Sequence, residues 1–132
     1  MPHLDLPSFY RRYIDCLNAR DLDRLGEFVH ADVEYNGNRI GLPSYRAMLQ
    51  GNYHDMPDLR FQIRLPVADA ATVACRLHFD CRPVGRFLDL EVAGRRVSFS
   101  ENVFYQFEDG RIRTVWSLID KAAIAEQLAH TA

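Results

Sequence analysis

Three cysteines in 132 residues make an odd count, and no two of them form a C-x-x-C pair. That argues against an extracellular disulfide framework. Cys16, Cys75 and Cys81 also lack finger-like spacing and the five histidines are scattered, so no zinc site is expected and reduced thiols in a core are. Charge of one sign is missing as well. Sixteen Lys and Arg against eighteen Asp and Glu leave a formal net charge of −2, without the basic footprint of a nucleic-acid binder. No apolar run approaches the ~20 residues of a membrane span. The opening MPHLDLPSFYRRY has no apolar stretch of signal-peptide length after a basic start. The expectation is a cytoplasmic protein with neither membrane nor nucleic acid as partner. The glycines show no phosphate-cradling spacing, since VAGRR is not a P-loop, and the chain has no repeat, low-complexity tract or linker.

What is present is an ordinary globular composition, 48% hydrophobic and 26% charged, which fits one domain spanning residues 1–132. Phe9, Tyr10, Tyr13, Ile14 and Leu17 recur at helical spacing behind Ser8. Asp21 stands where it would cap a short second helix, LDRLGEFV. A strand at VEYNG follows, then a third helix from Pro43 or Ser44 that stops before Pro57. From Asp58 the period changes to two. LRFQIRLPVA and TVACRLHFDC meet at DAA as a hairpin, and a long strand ending FYQF turns at EDGR into IRTVWSLID. Asp-Gly between apolar runs favours a primed two-residue turn. A terminal helix, KAAIAEQLAH, closes the chain. Helices first and an antiparallel meander after them predict an α+β domain whose curved sheet encloses a pocket.

The words FYRRYIDCLNARDLDRL, MPDLRFQI and FYQFEDGRIRTVWSLID running into IAEQL, in that order from about Phe9 to Leu128, resemble the SnoaL-like polyketide cyclase family of the NTF2-like superfamily. The resemblance implies a cone of N-terminal helices on a strongly curved, mixed, mainly antiparallel sheet around an apolar cavity, and a homodimer. It implies intramolecular aldol closure of a polyketide ester, or related acid/base chemistry on a small hydrophobic ester or cyclic molecule, without metal or organic cofactor. The family acid/base aspartate corresponds to Asp120. The stretch Cys81–Gly85 stands where the family often has Gly-Thr-His-x-Gly, which puts Pro83 in place of a histidine. A second often-polar position falls on Asn36.

Period-two alternation places Ile112, Thr114, Trp116, Leu118 and Asp120 on one strand face, so a cavity-facing Trp116 brings Asp120 with it. Desolvation would then raise the Asp120 carboxyl toward the range of a general base. The other reading of Asp120 is an N-cap for the terminal helix. In ACRLHFDCR, Arg76, His78, Asp80 and Arg82 share one face. His78 is a second acid/base candidate, and Arg76 and Asp80 are candidate polar contacts to a substrate. Limonene-type epoxide hydrolases, in the same superfamily, activate water with an Asp–Arg–Asp set that Arg76, Asp80 and Asp120 could imitate. A hydrolase or dehydratase is therefore the alternative, provided the row points inward; otherwise it forms cross-strand salt links. Tyr13 and Tyr35 could each reach the cavity with a hydroxyl or simply pack. A non-catalytic, dimeric small-molecule binder is the third reading. His3, His30 and His130 are expected in solvent.

Overall fold

The structure is a computed structural model and describes residues 5–130, so the expectation for His3 lies outside it. Helix α1, Leu6–Ala19, starts at Asp5, whose carboxylate accepts from the Ser8 amide at 3.3 Å and the Ser8 hydroxyl at 2.8 Å. Its buried stripe is the expected one, Phe9, Tyr10, Tyr13, Ile14 and Leu17, joined by Leu6 and Cys16. The segment after it, Leu22–Glu27, is a 3-10 helix, and the Asp21 side chain makes no capping bond to it. Six residues are too few to nucleate an α-helix of their own.

Strands β1, Val29–Tyr35, and β2, Asn38–Arg39, meet at Asn36-Gly37, where both residues have positive φ, 48° and 87°. Helix α2, Gly41–Asp55, begins two residues before the expected Pro43 and has no side-chain cap. Strands β3, Gln62–Asp69, and β4, Thr72–Cys81, form the expected hairpin. The next segment folds first into a small separate hairpin, β5, Arg86–Phe87, and β6, Leu90–Glu91. Only then does it enter β7, Val97–Glu108, and β8, Arg111–Ile119, joined by Asp109-Gly110. Helix α3 is Lys121–Ala129.

The main sheet has six strands in the order β2-β1-β8-β7-β4-β3, antiparallel except where β1 runs parallel to β8. It is curved, and α1 and α2 pack on its concave side, so the expected α+β class holds. Strand β7 outlasts β8, and Gln127 of α3 continues the ladder there. Its Oε1 accepts from the Ser98 amide at 2.8 Å and its Nε2 donates to the Ser98 carbonyl at 2.5 Å.

One irregularity decides which side chains face the core. Opposite Gln106 and Phe107, the partners on β8 jump from Thr114 to Ile112, so Arg113 is an extra residue. Before it Ile112 is fully buried; after it Val115 is buried, and Trp116 and Leu118 are 47% and 72% exposed. The single-face row expected from Ile112 to Asp120 therefore does not exist. Trp116 faces outward, against the Gly37 turn, because one inserted residue inverts every later side chain.

Candidate functional site

The concave face carries a half-open pocket of about 160 Å³. Its floor is the sheet, through Tyr35 of β1, Phe79 of β4, Phe99 and Glu101 of β7 and Ile119 of β8. One wall is α2 with the chain just after it, through Met48, Asn52, Met56, Leu59 and Phe61. The tip of the β5–β6 hairpin, Phe87 and Leu88, supplies the rest. A smaller chamber of about 50 Å³ shares Tyr35, Met48, Asn52, Phe61 and Glu101 with it and is otherwise lined by groups that include Tyr13, Tyr45 and Tyr105.

Among the described residues, Glu101 is the one ionisable carboxylate lining either space. Alternation along β7 puts it in the inward row with Val97, Phe99, Val103 and Tyr105, all of them buried. Burial in apolar surroundings pushes the Glu101 carboxyl up from its ordinary value, and a hydrogen bond from Ser117 offsets part of that rise. The Ser117 hydroxyl donates to Glu101 Oε2 from β8. Ser117 is itself fixed from the next strand. Asn36 Oδ1 accepts from the Ser117 amide at 2.8 Å, and Asn36 Nδ2 donates to the Ser117 carbonyl at 3.2 Å. The sequence reading passed over Glu101, although the alternation Val97, Phe99, Glu101, Val103, Tyr105 singles out a lone carboxylate in an apolar row.

Behind Glu101 the phenols pair off. The Tyr13 and Tyr45 hydroxyls lie 2.6 Å apart, and Tyr10 donates to Tyr105 at 3.3 Å. Burial pushes all four well above the ordinary tyrosine value, so each stays a neutral hydroxyl. Tyr35, at the junction of the two spaces, is raised by the same cause, with the nearby Ser117 side chain opposing it.

Of the side chains named from sequence, Tyr13 and Tyr35 line these spaces. Asn36 braces Ser117 and lines neither. Asp120 lies outside the lining; its Oδ1 accepts from the Ala123 amide at 3.1 Å, which is the N-cap bond of α3. Arg76, His78 and Asp80 alternate with the buried Cys75, Leu77, Phe79 and Cys81 and so occupy the outer face. There Arg76 donates to Asn102 at 3.2 Å, and Arg96 grips Asp80 at 2.9 and 2.7 Å. The inward row required by the hydrolase alternative is absent, because β4 keeps strict alternation and Phe79 holds the inner position. His30, expected in solvent, is partly buried in β1, where its Nδ1 accepts from the Asp32 amide at 3.0 Å. His30, Glu108 and Asp109 form a group with metal-ligand types in reach of one another, and none of them lines the cavity.

The family model for SnoaL-like polyketide cyclases matches residues 8–128. The chain belongs to the SnoaL-like polyketide cyclase family. A solved SnoaL-like polyketide cyclase from Agrobacterium tumefaciens C58 is 50% identical, with 97% of this chain and 99% of that one covered and a TM-score of 0.92. More distant members of this fold include TsrD from Streptomyces laurentii, 20% identical over 99% of both chains with a TM-score of 0.83. Wild-type IdmH from Streptomyces antibioticus is 18% identical over 95% of this chain and 99% of its own, with a TM-score of 0.81. No curated protein matches the chain at a significant level. Within this SnoaL-like chain no described helix is long and apolar enough to cross a membrane.

Proposed function

We propose that the protein carries out cofactor-independent acid/base chemistry on a small hydrophobic carbonyl compound, in the manner of an ester cyclase, with Glu101 as the acid/base. The observation that carries this reading is a single carboxylate, raised by burial, at the junction of two apolar spaces. As base, the Glu101 carboxylate takes a proton from the carbon next to a carbonyl. The C–H electron pair moves onto the carbonyl oxygen as an enolate. The proton held on Glu101 then returns to carbon, or to the alkoxide formed when the enolate closes a ring. Neutral tyrosine hydroxyls and the Asn52 amide are the donors available to a developing oxyanion. Asp120 serves the fold by capping α3. Side chains alone supply every step.

The test is α-hydrogen exchange of acetophenone and small β-keto esters in deuterium oxide, followed by NMR. Catalysed exchange that Glu101→Gln abolishes is the expected result. Binding of the same compounds with no exchange above buffer would leave a binding module and remove the enzymatic reading.

We further propose a homodimer through the convex sheet face. Phe104 and Trp116, cross-strand partners on β7 and β8, are 54% and 47% exposed, and Leu118, Leu65 and Val67 extend the apolar area to β3. Equilibrium sedimentation is expected to show a dimer that Phe104→Arg converts to a monomer; a monomeric parent chain ends this reading. The three free cysteines are all buried, which supports a reducing, cytoplasmic setting.

A further inference from the structure

Asn52 sits on α2 one turn after Met48 and one turn before Met56, and all three line the cavity, so this face of α2 looks into it. Its side-chain amide makes no hydrogen bond to any described residue. Other carboxamides near the core are committed in two directions. Asn18 accepts from the Phe61 amide at 2.7 Å and donates to the Phe61 carbonyl at 2.9 Å. Asn36 brackets Ser117, and Gln127 brackets Ser98. Those three hold strands in place, whereas Asn52 holds nothing. Asn52 is half-buried at the pocket wall, so its amide is free to exchange water for an acceptor on a ligand.

The pocket opens to solvent on one side, and the dimensions of its inner part say what fits between its walls. A cavity of about 150 Å³ with aliphatic and aromatic walls accommodates benzene, and this one measures about 160 Å³ with about 50 Å³ more behind it. Phe79 and Phe99, stacked at 5.2 Å between centroids, and Phe87 against Phe99 at 5.5 Å, give it flat aromatic surface. Among the described residues the lining includes no cation, and its one ionisable carboxylate is Glu101. A carboxylic acid would bring a second negative charge beside Glu101 with nothing to neutralise it. A neutral ketone or ester brings an acceptor that the Asn52 amide can serve.

We infer that the cavity is a site for an uncharged, single-ring ketone or ester whose carbonyl oxygen accepts from Asn52, and that fused polycyclic compounds and free acids are excluded. This deepens the proposed function, resting on its assignment of the cavity as the binding site but not on catalysis by Glu101. The ring lies against the Phe79–Phe99 stack. Its carbonyl points to α2, which leaves the neighbouring carbon toward β7 and Glu101.

The experiment is a set of dissociation constants, by ligand-observed NMR and calorimetry, for acetophenone, ethylbenzene, benzoate, 2-acetylnaphthalene and 9-acetylanthracene. The parent protein and Asn52→Leu, which is close in shape, are compared. In the parent, acetophenone is expected to bind roughly five- to tenfold more tightly than ethylbenzene, the size of one neutral hydrogen bond. Asn52→Leu is expected to bring that ratio within about twofold of unity while ethylbenzene binding persists, which also reports a folded cavity. Affinity is expected to fall from one ring to two and vanish at three, and benzoate is expected not to bind. If Asn52→Leu does not fold, Asn52→Ser and the ligand ratios of the parent alone decide. Equal affinities for acetophenone and ethylbenzene in the parent overturn the inference, as does an unchanged ratio in the variant. So does tight binding of 9-acetylanthracene or benzoate. Those outcomes leave the exchange test of Glu101 standing, whereas failure of every probe to bind removes the cavity as a site and both readings with it.

Discussion

Asp80 and Glu101 belong to the same sheet, face opposite ways, and have their carboxyl groups driven in opposite directions. On the convex face the two arms of Arg96 hold Asp80 at 2.9 and 2.7 Å, with Ser98 at 3.2 Å, and the Arg96 bonds keep it below the usual carboxylate range. On the concave face Glu101 has only the Ser117 hydroxyl, and burial drives it upward. Identical chemistry becomes a structural ion pair on one side and a group suited to proton transfer on the other. The difference is set by which way a strand's alternation turns it and by whether an arginine or a phenylalanine is its neighbour.

The largest expected effect breaks that comparison at its functional side. Glu101→Gln is expected to lower catalysed α-hydrogen exchange by about a hundredfold or more, the usual scale for a lost general base. Asp80→Asn is expected to leave the exchange rate within about twofold, and a matching loss there would move the chemistry to the convex face. Next comes Asp120, the carboxylate that family resemblance favoured. Asp120→Ala removes the bond to the Ala123 amide and is expected to destabilise the fold by about 1 kcal/mol in denaturant titration. Exchange activity per folded molecule is expected to survive. A selective loss of activity with stability intact would restore Asp120 as the acid/base.

Much of the fold is legible because its signals are local. The aromatic stripe of α1, the period-two strands and the Asn-Gly and Asp-Gly turns each specify their own element. The inward row of β7 is equally legible, and Glu101 stands in it. The orientation of β8 is not. IRTVWSLID alternates evenly on paper, and nothing in it announces that Arg113 is an extra residue opposite Gln106 and Phe107. Such a bulge arises from how β7 and β8 fit together over their whole length, so it becomes visible only in the paired sheet. It turned Trp116 from a cavity wall into an outward-facing ring. Asn52 was hidden differently: its spacing with Met48 and Met56 is plain, but only the folded molecule shows that its amide is unclaimed.

The smallest expected effect is also the sharpest test of the two faces, because it asks for slopes of opposite sign. Glu101 has a folded-state value raised above its ordinary 4.5. The stability it contributes is therefore fully present below that value and is lost as pH rises through the folded value. Glu101→Gln keeps an acceptor for the Ser117 hydroxyl and removes the titration. Its melting temperature relative to the parent is expected to climb as pH rises above about 4.5. Asp80 is the reverse case, lowered from 3.8 by Arg96. Its contribution is present above 3.8 and is lost as pH falls through the lower folded value. Asp80→Asn is expected to lose ground to the parent as pH rises from about 2 toward 5 and to run parallel to it beyond. Solvent screens this exposed pair, so its slope is expected to be the shallower of the two. Melting curves of the three proteins from pH 2 to 8 at constant ionic strength give both slopes. Two variants that track the parent in parallel, or diverge from it in the same direction, would mean that the faces of this sheet do not set their carboxylates apart.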